Sequence, residues 1–104
     1  MTRVLIIDDE ENILKTLSGI LKGEGHETVT AATGGDGLAR AGEQAIDCVL
    51  LDVWLPDIDG LQVLRELKRE DPMRPVIMMS GHSTISTAVE ATKLGAFTFL
   101  EKPL

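Results

Sequence analysis

Short apolar runs alternate with segments of helical periodicity along the whole chain, and this alternation limits the fold more than any other feature. The runs predict five strands, at approximately 3–8, 27–31, 47–52, 75–80 and 97–100. Strands that are separated by helices usually form a parallel sheet with helices on both faces. The sequence therefore predicts an α/β protein. We expect the second strand, which alternates in polarity, at an edge, and the other four to be buried on both faces.

Four helices are predicted between these strands. The first is marked by apolar residues that recur on one helical face, namely Ile13, Leu14, Leu17, Ile20 and Leu21. The second, near 35–44, is weakly patterned, and we interpret the glycine-rich stretch 33–37 as a loop. The third ends at Asp71, because a proline follows and disfavours helical geometry at that position. The fourth covers 83–94 and is closed by Gly95.

Length and charge restrict the class of protein. A chain of 104 residues supports one domain, and its formal charge of −7, without a basic stripe, argues against direct binding of nucleic acid. Neither a membrane span nor a signal peptide is present in the sequence, so we predict a cytoplasmic protein.

The apolar runs end in groups that can carry chemistry. Asp8 and Asp9 follow the first, Asp52 ends the third, Ser80 ends the fourth, and Lys102 follows the fifth. In open α/β sheets, ligands bind outside these carboxyl ends of the strands. Two carboxylates about 5 Å apart repel by on the order of 3 kcal/mol at an effective dielectric of about 20, which favours a bound divalent cation such as Mg²⁺.

Each of these groups, taken singly, also has an ordinary structural role. Asp9 and Ser80 can cap helices, Asp52 can begin a turn, and Lys102 can be a solvated surface amine. Together they match what one metal-assisted phosphoryl site requires: an acceptor carboxylate, metal-binding acids, a hydroxyl and a cation.

The order and spacing of these motifs resemble the receiver domain of two-component response regulators. The motifs are Asp8-Asp9-Glu10, residues 52–60, Ser80-Gly81-His82 and Lys102-Pro103. The resemblance covers residues 1–104 and implies a flavodoxin-like, doubly wound sheet of order 2-1-3-4-5. The chain stops at Leu104, where a fifth helix would begin, so we expect a receiver domain without that helix. The sequence could be a fragment, or further chain or another molecule could supply the missing cover.

The resemblance also implies the roles of the site residues. Asp52 would accept a phosphoryl group from the phosphohistidine of a sensor histidine kinase. Asp9, Asp52 and the Trp54 backbone carbonyl would ligate Mg²⁺ directly, and Asp8 would act through a bound water.

Further residues would read out the phosphoryl group. Lys102 and Ser80 would each contact one phosphoryl oxygen, and Phe99 would turn inward as the loop after the fourth strand moves. Phe97 competes for that role, although the spacing favours Phe99. The surface that changes would be the fourth helix and the fifth strand.

Two positions are expected to tune the lifetime of the phosphoryl group. They are Trp54, two residues after the acceptor, and His82, two residues after Ser80. We hypothesise that bulky Trp54 slows hydrolysis, while an exposed aromatic residue at a docking surface is an equal alternative.

The segment from Gly81 to Leu104 looks like the nitrogen-regulator subfamily, in which an ATPase domain that activates sigma-54 RNA polymerase follows the receiver. The prediction is thus a signalling module that controls a transcriptional effector, with a possible homodimer, and not an enzyme. Two alternatives stay open. One is a phosphate-independent dimerisation module. The other is a Mg²⁺-dependent phosphohydrolase, which would need a second acid where Trp54 stands.

Overall fold

A computed structural model describes residues 2–81 and 85–102 of the protein. Within these ranges strands and helices alternate, in agreement with the predicted pattern. The elements are β1 (Arg3–Ile7), α1 (Glu11–Gly23), β2 (Glu27–Ala31), α2 (Gly34–Glu43), β3 (Cys48–Asp52), α3 (Gly60–Glu70), β4 (Val76–Ser80), α4 (Ile85–Lys93) and β5 (Thr98–Glu101). Residues 83 and 84, which the sequence assigned to the fourth helix, lie outside the described ranges.

The five strands form one parallel sheet in the order β2-β1-β3-β4-β5, which confirms both the predicted order and the edge position of β2. The connection through α1 leads from β1 to the edge strand β2. The connections through α2, α3 and α4 lead in the opposite direction, towards the edge strand β5. Because parallel crossovers are right-handed, α1 covers one face of the sheet and the other three helices cover the opposite face. No helix in the described ranges is long and apolar enough to cross a bilayer.

The core lies between the sheet and the helices α2, α3 and α4. Alternate residues of the three central strands point into it, and these are Leu5, Ile7, Val49, Leu51, Val76 and Met78. From α3, Val63, Leu64 and Leu67 pack against them without measurable solvent exposure. Each such side chain stabilises the fold by about 1.5–3 kcal/mol, so the strand ends are held on a rigid base.

The prediction that the fifth strand is buried on both faces was wrong. Thr98 and Glu101 are exposed, Leu100 is 41% exposed, and Phe99 is the half-buried residue that packs on the core. The reason is position, because β5 forms the second edge of the sheet. Among the described residues its principal helix contact is α4, which covers one face.

The prediction of a loop over 33–37 was also wrong, since α2 begins at Gly34. The Thr33 side chain caps this helix by accepting a hydrogen bond, at 3.1 Å, from the backbone N–H three residues further on. Gly37 lies against β1, where an added Cβ would come within 2.8 Å of Ile7 Cγ1. This glycine therefore serves close helix–sheet packing and does not mark a flexible loop.

Candidate functional site

Three carboxylates converge at the carboxyl edge of the sheet. Asp8 and Asp9 follow β1, and Asp52 ends the neighbouring β3, with which β1 pairs in parallel. One oxygen of each carboxylate lies within 4.8 Å of the other two. Asp8 is fully buried and Asp52 is 3% exposed, whereas Asp9 is open to solvent. The predicted acid cluster is thus formed, and two of its three charges are shielded from water.

The ammonium group of Lys102 lies inside this cluster. Its Nζ atom is 2.7 Å from Asp8 Oδ2, 3.4 Å from Glu10 Oε1 and 3.6 Å from Asp52 Oδ2. Burial lowers the pKa of Lys102, but the close contact with Asp8 and the charges of Asp52 and Glu10 more than offset it, so the pKa is raised. Lys102 therefore stays charged and acts as a counter-ion. The sequence did not predict the contact with Glu10.

The cluster holds Asp52 in an unfavourable electrostatic environment. Burial raises the pKa of Asp52 from its ordinary value of 3.8 to about 6, and the negative charge of Asp8 adds to the increase. The positive charge of Lys102 and a hydrogen bond from the Trp54 backbone act in the opposite direction without cancelling it. At neutral pH the ionised carboxylate is retained at a cost in stability.

The donor set fits a hard divalent cation. Asp8 Oδ1 accepts a hydrogen bond from the Glu10 backbone N–H at 2.9 Å, and the buried Oδ2 faces the Lys102 ammonium at 2.7 Å. The three acids bring oxygen atoms within 4.8 Å of one another, and oxygen donors of this kind are the ligands that Mg²⁺ prefers.

A cavity of about 220 Å³ opens onto the cluster, lined by Asp9, Glu10, Asp52, Trp54, Gly81 and Lys102. Trp54 is 61% exposed, and it also lines a second cavity of about 330 Å³ beside α3 and α4. Trp54 therefore borders both cavities. Asp52 thus borders a space that opens to solvent.

Ser80, Phe97 and Phe99 are not among the described residues that line the cavity at the acid cluster. Ser80 is fully buried at the end of β4, and its carbonyl oxygen accepts a hydrogen bond from the Lys102 backbone N–H at 2.8 Å. Phe99 is half-buried next to Met78 across the sheet, while Phe97 is 75% exposed. His82 lies outside the described residues. The proposed roles of these side chains stay predictions.

The sequence analysis missed one residue near the site. Asp57, in the loop after β3, accepts hydrogen bonds from the backbone N–H groups of Gly34 at 2.8 Å and Gly35 at 2.9 Å. These two bonds, from Gly35 and then Gly34, lower the pKa of Asp57. The only sequence signal was an acid in a turn and a glycine pair more than 20 residues away, and nothing local connects them.

The region around Gly60 explains how α3 begins beside the acceptor strand. The Asp59 side chain caps the helix by accepting a hydrogen bond from Leu61 N at 2.9 Å. A Cβ at Gly60 would lie 2.6 Å from Val53 Cα, so only glycine allows the helix to start this close to β3. Gly60 is accordingly the first residue of α3.

We predict that Asp52→Asn stabilises the metal-free protein at pH 8 by about 1–3 kcal/mol, because it removes a buried charge. The folded-state pKa of about 6 lies above the ordinary 3.8, so the cost of the charge is fully present above pH 6, decreases as the pH falls from about 6 to about 4, and is absent below pH 4. Urea unfolding in EDTA measures the difference. It should shrink towards zero at pH 4, where Asp52 is itself neutral.

Glu43→Gln, which removes one exposed charge at the end of α2, is the control for net charge. It should change the free energy of unfolding by no more than about 0.5 kcal/mol. Equal free energies of unfolding for the wild type and Asp52→Asn at pH 8 would show that the charge of Asp52 does not destabilise the fold.

Comparison with known proteins agrees with this geometry. The family described as "Response regulator receiver domain" matches residues 4–104. The nitrogen assimilation regulatory protein NtrX of Azorhizobium caulinodans is 44% identical over 102 residues, which are 96% of this chain and 22% of that protein. The chain spans about a fifth of the length of the curated relatives it matches.

Solved structures show the same similarity. A CheY-like receiver domain protein from Methanospirillum hungatei superimposes with a TM-score of 0.97 at 34% identity, over 100% of this chain and 83% of that one. A response regulator from Burkholderia pseudomallei, crystallised with a phosphorylated aspartic acid, a calcium ion and citrate, gives a TM-score of 0.94 at 30% identity. That alignment covers 100% of this chain and 61% of the other.

Proposed function

The chain belongs to the family of response regulator receiver domains, which are phosphorylation-dependent signalling switches, and we propose that Asp52 is its phosphoryl acceptor. One observation carries this proposal. Asp52 is a buried carboxylate at a strand end, with two further acids and one ammonium group around it, and it borders an open cavity. No other carboxylate in the described ranges combines these features.

Transfer of the phosphoryl group to Asp52 would need little covalent chemistry from the rest of the protein. A carboxylate oxygen of Asp52 would attack the phosphorus atom of a phosphohistidine, so that an O–P bond forms as the N–P bond breaks and the imidazole leaves. With a pKa of about 6, Asp52 is mostly ionised at pH 7 and above and can act as the nucleophile. Catalysis would then come from positioning and from neutralising charge.

We propose Mg²⁺ as the cofactor. Asp9, Asp52 and the Trp54 backbone carbonyl would hold it directly, and Asp8 would contact it through water. When bound, the ion would neutralise negative charge on the phosphoryl group during transfer. The phosphorylated aspartic acid and calcium ion of the Burkholderia pseudomallei relative support this assignment, since calcium and magnesium are both hard cations with oxygen ligands.

Phosphorylation of Asp52 would be converted into a conformational change by three residues, Lys102, Ser80 and Phe99. The Nζ atom of Lys102 is 3.6 Å from Asp52 Oδ2, so it would contact an oxygen of a phosphoryl group on Asp52 after a small movement. Ser80 is buried and does not line the cavity, so its contact with a second oxygen would require the loop after β4 to move. Phe99 lies on the adjacent strand and would fill the vacated space.

The output surface would be α4 and β5, which expose the apolar side chains of Ile85, Val89 and Leu100, together with exposed Phe97 just before β5. The chain is similar to regulators of the NtrX type, so we propose a sensor histidine kinase as its upstream partner. Downstream we propose a transcriptional effector of the sigma-54 activator kind, with a homodimer as a further possibility. The extent of the domain over 1–104, the cytoplasmic location and the lack of enzymatic turnover remain predictions.

The acceptor assignment predicts a single covalent adduct. After incubation with acetyl phosphate and Mg²⁺, intact-mass spectrometry should show one added phosphoryl group, because a small phosphoryl donor can enter the open cavity. Asp52→Asn should give no adduct, while Glu43→Gln, which removes an exposed carboxylate at the end of α2, should retain one.

The alternatives give different results in the same experiment. A folded protein without any adduct would contradict the switch and favour the phosphate-independent module. Continuous release of phosphate from small esters would contradict it in favour of a phosphohydrolase.

We further propose that Trp54 lengthens the lifetime of the phosphoryl group by shielding it from water. Trp54→Ala should therefore hydrolyse the adduct several-fold faster than the wild type, whereas Trp54→Phe, which retains an aromatic wall, should remain closer to it. Mass spectrometry over time after removal of acetyl phosphate gives both rates. An unchanged rate in Trp54→Ala would favour a docking role for this exposed side chain.

A further inference from the structure

The carboxylate of Asp57 connects two loops that are distant in sequence. The residue is solvent-exposed and lies outside the cavity, yet both of its carboxylate oxygens are engaged. Oδ1 accepts from Gly34 N at 2.8 Å and Oδ2 accepts from Gly35 N at 2.9 Å. These are the first two backbone amides of α2, which have no partner within the helix. We call this arrangement of Asp57, Gly34 and Gly35 the Asp57 bridge.

The glycine pair is shaped to receive this side chain. A Cβ at Gly35 would stand 3.2 Å from Asp57 Oδ2, and a Cβ at Gly34 would stand 3.4 Å from Asp57 Oδ1 and 2.9 Å from Val63 Cγ2. Larger residues would therefore push the carboxylate away from the two amides. Because Gly34 and Gly35 have no side chain, the start of α2 leaves room for the loop that carries Asp57 to approach closely.

Both connected segments lead to the acid cluster. One is the loop over 53–59, which follows Asp52, contains the Trp54 carbonyl and is closed by a hydrogen bond from Gly60 N to Val53 O at 2.9 Å. The other runs back from α2 to Ala31, whose carbonyl oxygen accepts from Asp8 N at 3.0 Å. The Asp57 bridge thus joins the segment after Asp52 to the segment that is bonded to Asp8.

We infer that Asp57 is a positioning residue, which holds the Trp54 carbonyl and the spacing of the acids in the arrangement that binds the divalent cation. The inference rests on the proposed function of the site as a Mg²⁺ site. It assigns to Asp57 no contact with the ion or the phosphoryl group. Residues that orient metal ligands from outside typically change metal affinity by about 10–100-fold when they are replaced.

A Mg²⁺ titration followed by fluorescence tests the inference, because Trp54 is the only tryptophan in the chain and borders the site. Asp57→Ala should weaken Mg²⁺ affinity about tenfold. Asp57→Asn keeps one acceptor oxygen and should fall between Asp57→Ala and the wild type. Thermal unfolding in EDTA identifies any variant that is not folded, and Asp57→Asn keeps the test valid if Asp57→Ala does not fold.

Thr33→Ala is the matched control, because it removes a different cap from the same end of α2. Thr33 bonds the Asp36 amide and makes no hydrogen bond to the loop over 53–59 among those found in the described residues. Its Mg²⁺ affinity should stay within about twofold of the wild type, even though the helix loses a stabilising contact.

The possible results separate this inference from the function on which it rests. Wild-type affinity in Asp57→Ala, or equal losses in Asp57→Ala and Thr33→Ala, would overturn the positioning role and leave the Mg²⁺ site intact. A wild-type protein that does not respond to Mg²⁺ would overturn the proposed cofactor and, with it, this inference. Selective weakening in the two Asp57 variants supports it.

Discussion

The ion pairing of Lys102 with the buried carboxylates is the interaction on which the rest of the site depends. Asp8 and Asp52 have almost no access to water, and isolated charges in such positions are strongly unfavourable. One ammonium group 2.7 Å and 3.6 Å from their oxygens offsets part of this cost. With Asp9 nearby, three carboxylates surround one ammonium group, so negative charge is still in excess. The folded protein therefore has uncompensated negative charge at this site, which a divalent cation would neutralise.

The parallel sheet concentrates these charges by bringing distant strand ends together at one edge. Asp8, Asp52 and Lys102 come from segments that are far apart in the chain, and each follows or ends a strand of the same sheet. The apolar runs could be read as strands, and the polar residues that follow them could be placed at one edge, from the sequence alone. This is why the parallel sheet and the acid cluster could be anticipated from the residues, whereas the strand order came from the resemblance to receiver domains and the roles of the site residues remain to be tested.

Features that depend on contacts between distant segments could not be anticipated in the same way. The start of α2 is stabilised by Asp57, 22 and 23 residues away from the two glycines, and by the fit of Gly37 against Ile7. In a local window, such glycines indicate a loop. The exposure of β5 was missed because an apolar run does not show which helices will cover it. In both cases the tertiary contacts outweighed the local preference.

The central claim is that the acid cluster binds Mg²⁺, and the most direct measurement is the free energy of unfolding as a function of Mg²⁺ concentration. The claim predicts a gain that grows logarithmically and reaches about 2.7 kcal/mol when Mg²⁺ is about 100 times its dissociation constant. Asp9→Asn should lose most of this gain, and Glu43→Gln should keep it. A stability that does not depend on Mg²⁺, or an equal gain in Asp9→Asn, would contradict the claim.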